Sequence, residues 1–248
     1  MTPRRTLITG GTRGIGAATA VRLAEDGHDL VLAYVSDESA AAQTAERVRS
    51  VGGICRLVRA DLLDADGVET LFAAASDAGA LTGVVNNAGA TLHIGPLAET
   101  PADVVRRTVD LNLTAALLVA RAAVRAMSTA YDGAGGVLVN VSSGAATLGS
   151  PHEYVQYAAA KAGVDAMTTG LAQEVASDGV RVVGVAPGIV RTDIHADAGE
   201  PGRIDRVGPK VPLGRVGEPG EIADAIVWLM SDAASYVTGT TLRVAGGR

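Results

Sequence analysis

Single residues of cysteine, phenylalanine and tryptophan are all that the 248-residue chain contains of those types, and aromatics make up 3%. With Cys55 alone, an internal disulfide is excluded and a redox or nucleophilic role disfavoured, and the residue reads as a small hydrophobe of a strand. Charged residues are scarce at 19%, and the net charge of −6 lacks the clustered lysine and arginine that nucleic acid demands. The longest apolar stretches, such as Leu113 to Ala120, fall short of the roughly 18 residues of a membrane span. Met1-Thr-Pro-Arg4 runs almost directly into an apolar strand, leaving no room for a signal peptide. A cytoplasmic protein without nucleic-acid or membrane partners is expected.

What is abundant is small and aliphatic. Hydrophobic residues reach 48% and glycines number 31, a composition for tightly packed helices on a sheet. Short Val/Ile/Leu runs alternate with helical segments throughout. Strands are expected at 6–9, 29–34, 54–58, 84–86, 137–141, 180–185 and 241–244. Helices are expected at 15–27, from a Ser36 cap to Ser50, at 68–79, 102–130, 153–177 and 218–230. Continuous apolar strands each followed by a helix indicate a parallel sheet covered on both faces. The fold class is therefore α/β, a doubly wound sheet of Rossmann type over residues 1–248, with ligands bound beyond the carboxyl ends of the strands. Residues 192–219, rich in Gly, Pro and charge and without a period, are expected to form a substrate lid.

Two constellations carry chemistry. Tyr157 and Lys161 stand four residues apart in Tyr-Ala-Ala-Ala-Lys, so they share a helical face, with Ser142 and Ser143 just upstream. A free phenol titrates near 10, too high to exchange protons readily at neutral pH, and an adjacent ammonium lowers that value. At the other end, Thr9-Gly-Gly-Thr-Arg-Gly-Ile-Gly16 lies between a strand and a helix. Gly10, Gly14 and Gly16, with Thr12 and Ile15 among them, set backbone amides and a helix N-terminus where a pyrophosphate can bind. The residue closing the second strand is Tyr34 rather than the acid that would accept the ribose hydroxyls of NAD. Arg13, with Ser36 as a second donor, can instead meet a 2′-phosphate, so NADP(H) is favoured over NAD(H).

The glycine loop, Asn86-Asn-Ala-Gly89, a serine ahead of Tyr157-x-x-x-Lys161, and Pro187-Gly188 after the sixth strand together resemble the short-chain dehydrogenase/reductase family along the whole chain. The resemblance implies a single domain of seven parallel strands, usually in a homotetramer. It places Asp61 and Leu62 beside the adenine, Asn87, Ala88 and Gly89 along the cofactor, and Pro187, Gly188, Val190 and Thr192 toward the nicotinamide. It also names Asn112, Ser143, Tyr157 and Lys161 as the catalytic group. Ser142 competes with Ser143 on position alone; the family pattern selects Ser143. In these roles Ser143 donates to the substrate oxygen. Tyr157 is general acid in reduction and general base in oxidation. Lys161 lowers the phenol pKa, and Asn112 holds a water leading from Lys161 to solvent. The chain departs from many members at Val183 and Ala245, neither near the chemistry.

The substrate is expected to be a small carbonyl compound or alcohol, in a pocket lined by Thr91 to Ile94, Ala145 to His152, Ile189 and the 192–219 segment. His93 and His152 are candidate polar contacts there. Reduction of a 3-oxoacyl thioester on an acyl carrier protein is the alternative. Ser128-Thr-Ala-Tyr-Asp132 and Ser177-Asp178 offer no basic surface for that acidic partner, although Arg121, Arg125 and Arg206 leave it open. A non-catalytic NADP sensor is a third reading, disfavoured by the Ser-Tyr-Lys group. For assembly, Leu113 to Ala120 is apolar around its circumference, and Ala158 to Gly163 is rich in small residues. A homotetramer pairing through 102–130 and 153–177 follows.

Overall fold

A computed structural model describes residues 4–77 and 79–248. The expectation drawn from Met1 to Pro3, and Ala78 near the end of the third expected helix, lie outside the described residues. The strands are β1 (Arg4–Ile8), β2 (His28–Tyr34), β3 (Cys55–Arg59), β4 (Gly83–Asn86), β5 (Gly136–Val141), β6 (Val180–Pro187) and β7 (Thr241–Val244). They form one seven-stranded parallel sheet in the order β3-β2-β1-β4-β5-β6-β7. The order reverses between β1 and β4, which puts a crevice at the carboxyl ends of those two strands.

Consecutive strand residues face opposite ways, and this divides the core in two. Leu7, Val84, Leu138 and Val182 pack under the helices α3 (Ala65–Ser76), α5 (Ala115–Met127) and α7 (Val155–Val175). Their neighbours Ile8, Val85, Val139 and Val183 pack under α1 (Gly14–Glu25), α2 (Glu38–Ser50) and α10 (Pro219–Met230). The remaining helices are α4 (Ala102–Val109), α6 (Ala145–Leu148), α8 (Ile194–Asp197) and α9 (Arg203–Val207). Among the described residues, no helix is long and apolar enough to cross a membrane.

Two local expectations are corrected. The cap of α2 is Asp37, whose carboxylate accepts from the Ala40 N–H at 2.9 Å, because a carboxylate meets the uncapped amides better than the Ser36 hydroxyl. The helix expected at 102–130 is three segments, with a π-helical turn at Asp110–Thr114 between α4 and α5 and an end at Met127. Its cause is local. The Asn112 side-chain amide donates to the Thr108 carbonyl at 2.9 Å, the acceptor that an α-helix reserves for the Asn112 backbone. The unassigned stretch at 192–219 folds into α8, α9 and a 3-10 turn at Gly208–Lys210.

Candidate active site

At the crevice, the loops after β1 and β4 are tied to each other. The Thr9 hydroxyl accepts from the N–H groups of Asn87 and Ala88 at 2.9 and 3.0 Å. The Asn87 amide donates back to the carbonyls of Thr9 and Gly10 at 3.0 and 3.1 Å. Gly10 and Gly14 sit at φ +59° and +50°, a region that L side chains rarely adopt. Gly16 is required by contact instead, since a Cβ there would lie 2.1 Å from the Gly10 carbonyl oxygen.

A cleft of about 410 Å³ opens over these loops. Its wall includes Gly10, Thr12, Arg13, Gly14, Ile15, Tyr34, Ser36, Leu62, Asn87, Ala88 and Gly89 at one end. Ser142, Ser143, Tyr157, Lys161, Pro187, Gly188, Val190 and Thr192 complete it at the other. Three residues named from the sequence stand off the wall. Gly16 lies behind the loop, Asn112 is underneath, and the Asp61 carboxylate accepts from the Leu63 N–H at 3.0 Å. No side chain caps α1, so the free amides of its first turn, at Gly14 and Ile15, stand at the cleft wall. An uncapped helix start beside two left-handed glycines fits a bound pyrophosphate.

The reacting end is built on β5 and α7. Ser142 and Ser143 follow β5 directly but point to different tasks. The buried Ser142 hydroxyl donates to the Lys161 carbonyl at 3.2 Å, locking the strand end to α7. Ser143 Oγ accepts from the Ala145 N–H at 3.1 Å and keeps its own proton available. Tyr157 is buried, and burial pushes its phenol above the ordinary value; the Ser143 hydroxyl opposes this and Tyr154 adds to it. Lys161 lies one turn further along the same helix, as their spacing predicts. Its ammonium is 5.8 Å from the Tyr157 ring centre and donates to the Val141 carbonyl at 2.8 Å. Burial also lowers Lys161 to about 8, with Asp165 opposing, so its own charge is disfavoured.

Asn112 is 0% exposed, so it is no solvent-facing helix residue. Its amide accepts from the Ala90 N–H at 3.2 Å and donates to the Ala90 carbonyl at 2.8 Å. It thereby fixes the loop after β4. A Cβ on Gly89 would stand 2.7 Å from Asn112 Oδ1 and 3.4 Å from Lys161 Nζ, so only glycine passes between them.

Of the expected substrate-lining segments, Thr91, Leu92, Ile189 and, from 192–219, Thr192, Asp193, Ile194, His195 and Asp197 reach the cleft; His93, Ile94 and residues 145–152 do not. Two lining residues stand out that the motifs did not single out for chemistry. Tyr154 packs edge to face on Tyr157, and His195 comes from α8. Off the wall, Arg203 of α9 is fully buried behind Tyr154 and pairs with Glu153 and Glu200. No periodicity or spacing marks His195 or Arg203, because both belong to the irregular segment after β6.

A sheet with its switch point at β1 and β4, amides for a pyrophosphate, and a buried tyrosine beside a serine and a lysine define a nicotinamide-dependent dehydrogenase or reductase. Comparison with known proteins agrees. Residues 10–248 match the family model described as enoyl-(acyl carrier protein) reductase. The uncharacterized oxidoreductase YgfF of Escherichia coli K12 is 44% identical, with 98% of each chain covered. A 3-oxoacyl-[acyl-carrier-protein] reductase of Synechocystis is 36% identical, over 100% of this chain and 97% of its own. A crystal structure of a short-chain type dehydrogenase/reductase from Mycobacterium marinum superposes with a TM-score of 0.91 at 31% identity, over 98% of this chain and 94% of that one. The chain belongs to the short-chain dehydrogenase/reductase family and is an oxidoreductase of alcohol and carbonyl groups using NAD(P).

Proposed function

We propose that the enzyme reduces a small free carbonyl compound with NADPH, through Ser143, Tyr157 and Lys161. The observation that carries this reading is their convergence on one cleft wall while the Ser142 hydroxyl is taken up by the Lys161 carbonyl. The nicotinamide, when bound, supplies the hydride. Ser143 donates a hydrogen bond to the substrate oxygen as negative charge grows there. Tyr157 gives that oxygen its phenolic proton, and burial keeps the proton on the phenol until an acceptor arrives. Lys161, lowered by burial to about 8, keeps its ammonium at neutral pH and holds the strand end at Val141. Asn112 acts by positioning Ala90 and the loop beneath the cofactor.

The preference for NADP(H) is supported by Arg13 and Ser36 on the cleft wall and by Tyr34 closing β2. Asp37 does not counter it, since its carboxylate caps α2. Asp61 keeps its place beside the adenine in this reading through its backbone, its side chain being turned to Leu63. Residues 1–248 act as one domain, with 192–219 as the substrate lid, in a cytoplasmic homotetramer. Outward Leu117, Ala159, Ala162 and Ala166 supply an apolar contact on α5 and α7. Exposed Trp228 and Leu242 supply another. Leu113 and Gly163, which pack on each other between the π-helical turn and α7, remain half-buried beside it.

A carrier-bound thioester is the second reading, favoured by the Synechocystis relative. Arg206 gives it no support, being paired with Glu153 and Glu200, and Arg121 faces Glu69 at 3.6 Å. Oxidation of NADPH and of NADH, followed against ketones, aldehydes, sugars and 3-oxoacyl thioesters, tests both readings. Turnover confined to carrier-bound thioesters would reject the first.

A further inference from the structure

The cleft carries a polar group that the chemistry above does not use. His195 is 8% exposed, lines the cleft, and neither ring nitrogen makes a hydrogen bond among the described residues. Its Nδ1 is fully enclosed without a partner. A buried polar atom left unpaired costs about 1–3 kcal/mol, and folded proteins keep few of them. Leucine at this place would avoid that cost.

The surroundings say what kind of group His195 can meet. Arg203 is 0% exposed and lies between Glu153 and Glu200; Arg206 pairs with the same two carboxylates at 3.0 and 2.6 Å. Two arginines thus face two glutamates, and neither arginine is left over for an anionic group beside His195. Burial, reinforced by Arg203, keeps His195 neutral, with its pKa lowered to about 4. Nε2 is the ring nitrogen that is not enclosed, and a neutral imidazole offers there a donor or an acceptor, either of which an alcohol can match. Tyr154, on the same wall, accepts from Arg203 at 2.9 Å, which leaves its own hydroxyl proton free to donate.

Building on the carbonyl-reduction reading, we propose that His195 recognises a second, uncharged hydroxyl group of the substrate. The substrate class is then hydroxylated ketones and their diol products. Arg203 is the positioning residue. It holds α9 to Tyr154 through a hydrogen bond and through a guanidinium 4.8 Å from that ring, and so keeps the segment bearing His195 against the cleft.

Matched probes test this: cyclohexanone against its 2-, 3- and 4-hydroxy derivatives, and 2-butanone against 3-hydroxy-2-butanone. With the preferred cofactor, at least one hydroxylated member exceeds its parent in kcat/KM by about ten-fold, the scale of one well-made hydrogen bond. His195→Leu brings that ratio to near one, and His195→Gln, which keeps a donor and an acceptor, restores part of it. A wild-type enzyme with no such preference, or a preference that survives His195→Leu, overturns the proposal. So does loss of the ratio together with a lower Tm in the ligand-free His195→Leu protein, which would mark a packing role. Calorimetric binding of the same probes to Tyr157→Phe protein loaded with cofactor reads the ratio without turnover. A binding preference that depends on His195, with no ketone reduced by wild type, would reject the carbonyl-reduction reading and keep the subsite. Absence of both would reject both.

Discussion

The ring of Tyr154 meets that of Tyr157 edge to face, with centroids 5.5 Å apart and planes at 87°. Such a pair contributes about 0.5–1.5 kcal/mol beyond its buried area, and here it fixes the plane of the proton donor. Tyr157→Phe keeps this packing and removes only the exchangeable proton. Turnover falls by about 10²–10⁴-fold, the usual range for a general acid, while cofactor affinity measured by fluorescence titration stays within a few fold. Activity close to wild type would remove Tyr157 from the chemistry.

The two serines after β5 separate in the same assay. Ser143→Ala takes away a donor to the developing oxyanion, a loss of about 10²–10³-fold in kcat. Ser142→Ala breaks one bond to the Lys161 carbonyl and costs stability of roughly 1 kcal/mol, with a much smaller effect on kcat. A larger kcat loss for Ser142→Ala than for Ser143→Ala would reverse the assignment.

Most of the sheet was legible because its central strands are short aliphatic runs, the signature of parallel strands buried on both faces. The glycine loop and the Tyr157–Lys161 pair were legible because their geometry is local, set by φ at Gly10 and Gly14 and by a four-residue helical step. What escaped depends on contacts between distant segments. The break at Asp110–Thr114 turns on where one asparagine amide points, which residue type alone does not dictate. The bond from Lys161 to the Val141 carbonyl also escaped, because that strand end lies 20 residues away in sequence. Arg203 sits in a polar, irregular stretch, and only folding shows that it is buried between two carboxylates.

Cofactor preference has a direct test in one surface pair. The Arg13 guanidinium is 3.5 Å from the Asp197 carboxylate of α8, both about half exposed. An exposed pair of this kind is weak, so a 2′-phosphate can compete for Arg13. Arg13→Ala weakens NADPH by about ten-fold or more, matching the roughly 1.5–3 kcal/mol of a charge-assisted bond, with little change for NADH. Asp197→Asn releases Arg13 and tightens NADPH by a few fold. Equal losses for the two cofactors in Arg13→Ala would exclude a role at the 2′-phosphate.

Assembly is checked by light scattering. A homotetramer at micromolar concentration is expected, against 24.9 kDa for one chain. Leu117→Glu places a charge on the outward face of α5, where Leu117 is 46% exposed, and shifts the population to smaller species. A monomer in wild type would show that these faces are simply solvated.

Acid stability follows from two buried histidines. His28, bonded to the Thr6 hydroxyl at 2.8 Å, is lowered from 6.5 to about 4 by burial first and by Arg4 second, with Asp26 opposing. His195 is lowered to the same value by burial and Arg203. In each case the unfolded chain binds a proton that the folded chain refuses, so stability is full above pH 6.5, falls as pH drops toward 4, and then levels. Each group contributes about 3 kcal/mol over that window, at roughly 1.4 kcal/mol per pH step. Urea midpoints between pH 7 and 5, above the range where carboxylates protonate, isolate the histidines. Wild type should lose stability with a slope that rises toward two protons as pH approaches 5. His195→Leu should halve the slope and leave the share of His28, whereas a flat profile from pH 7 to 5 would show that neither ring resists protonation in the folded chain.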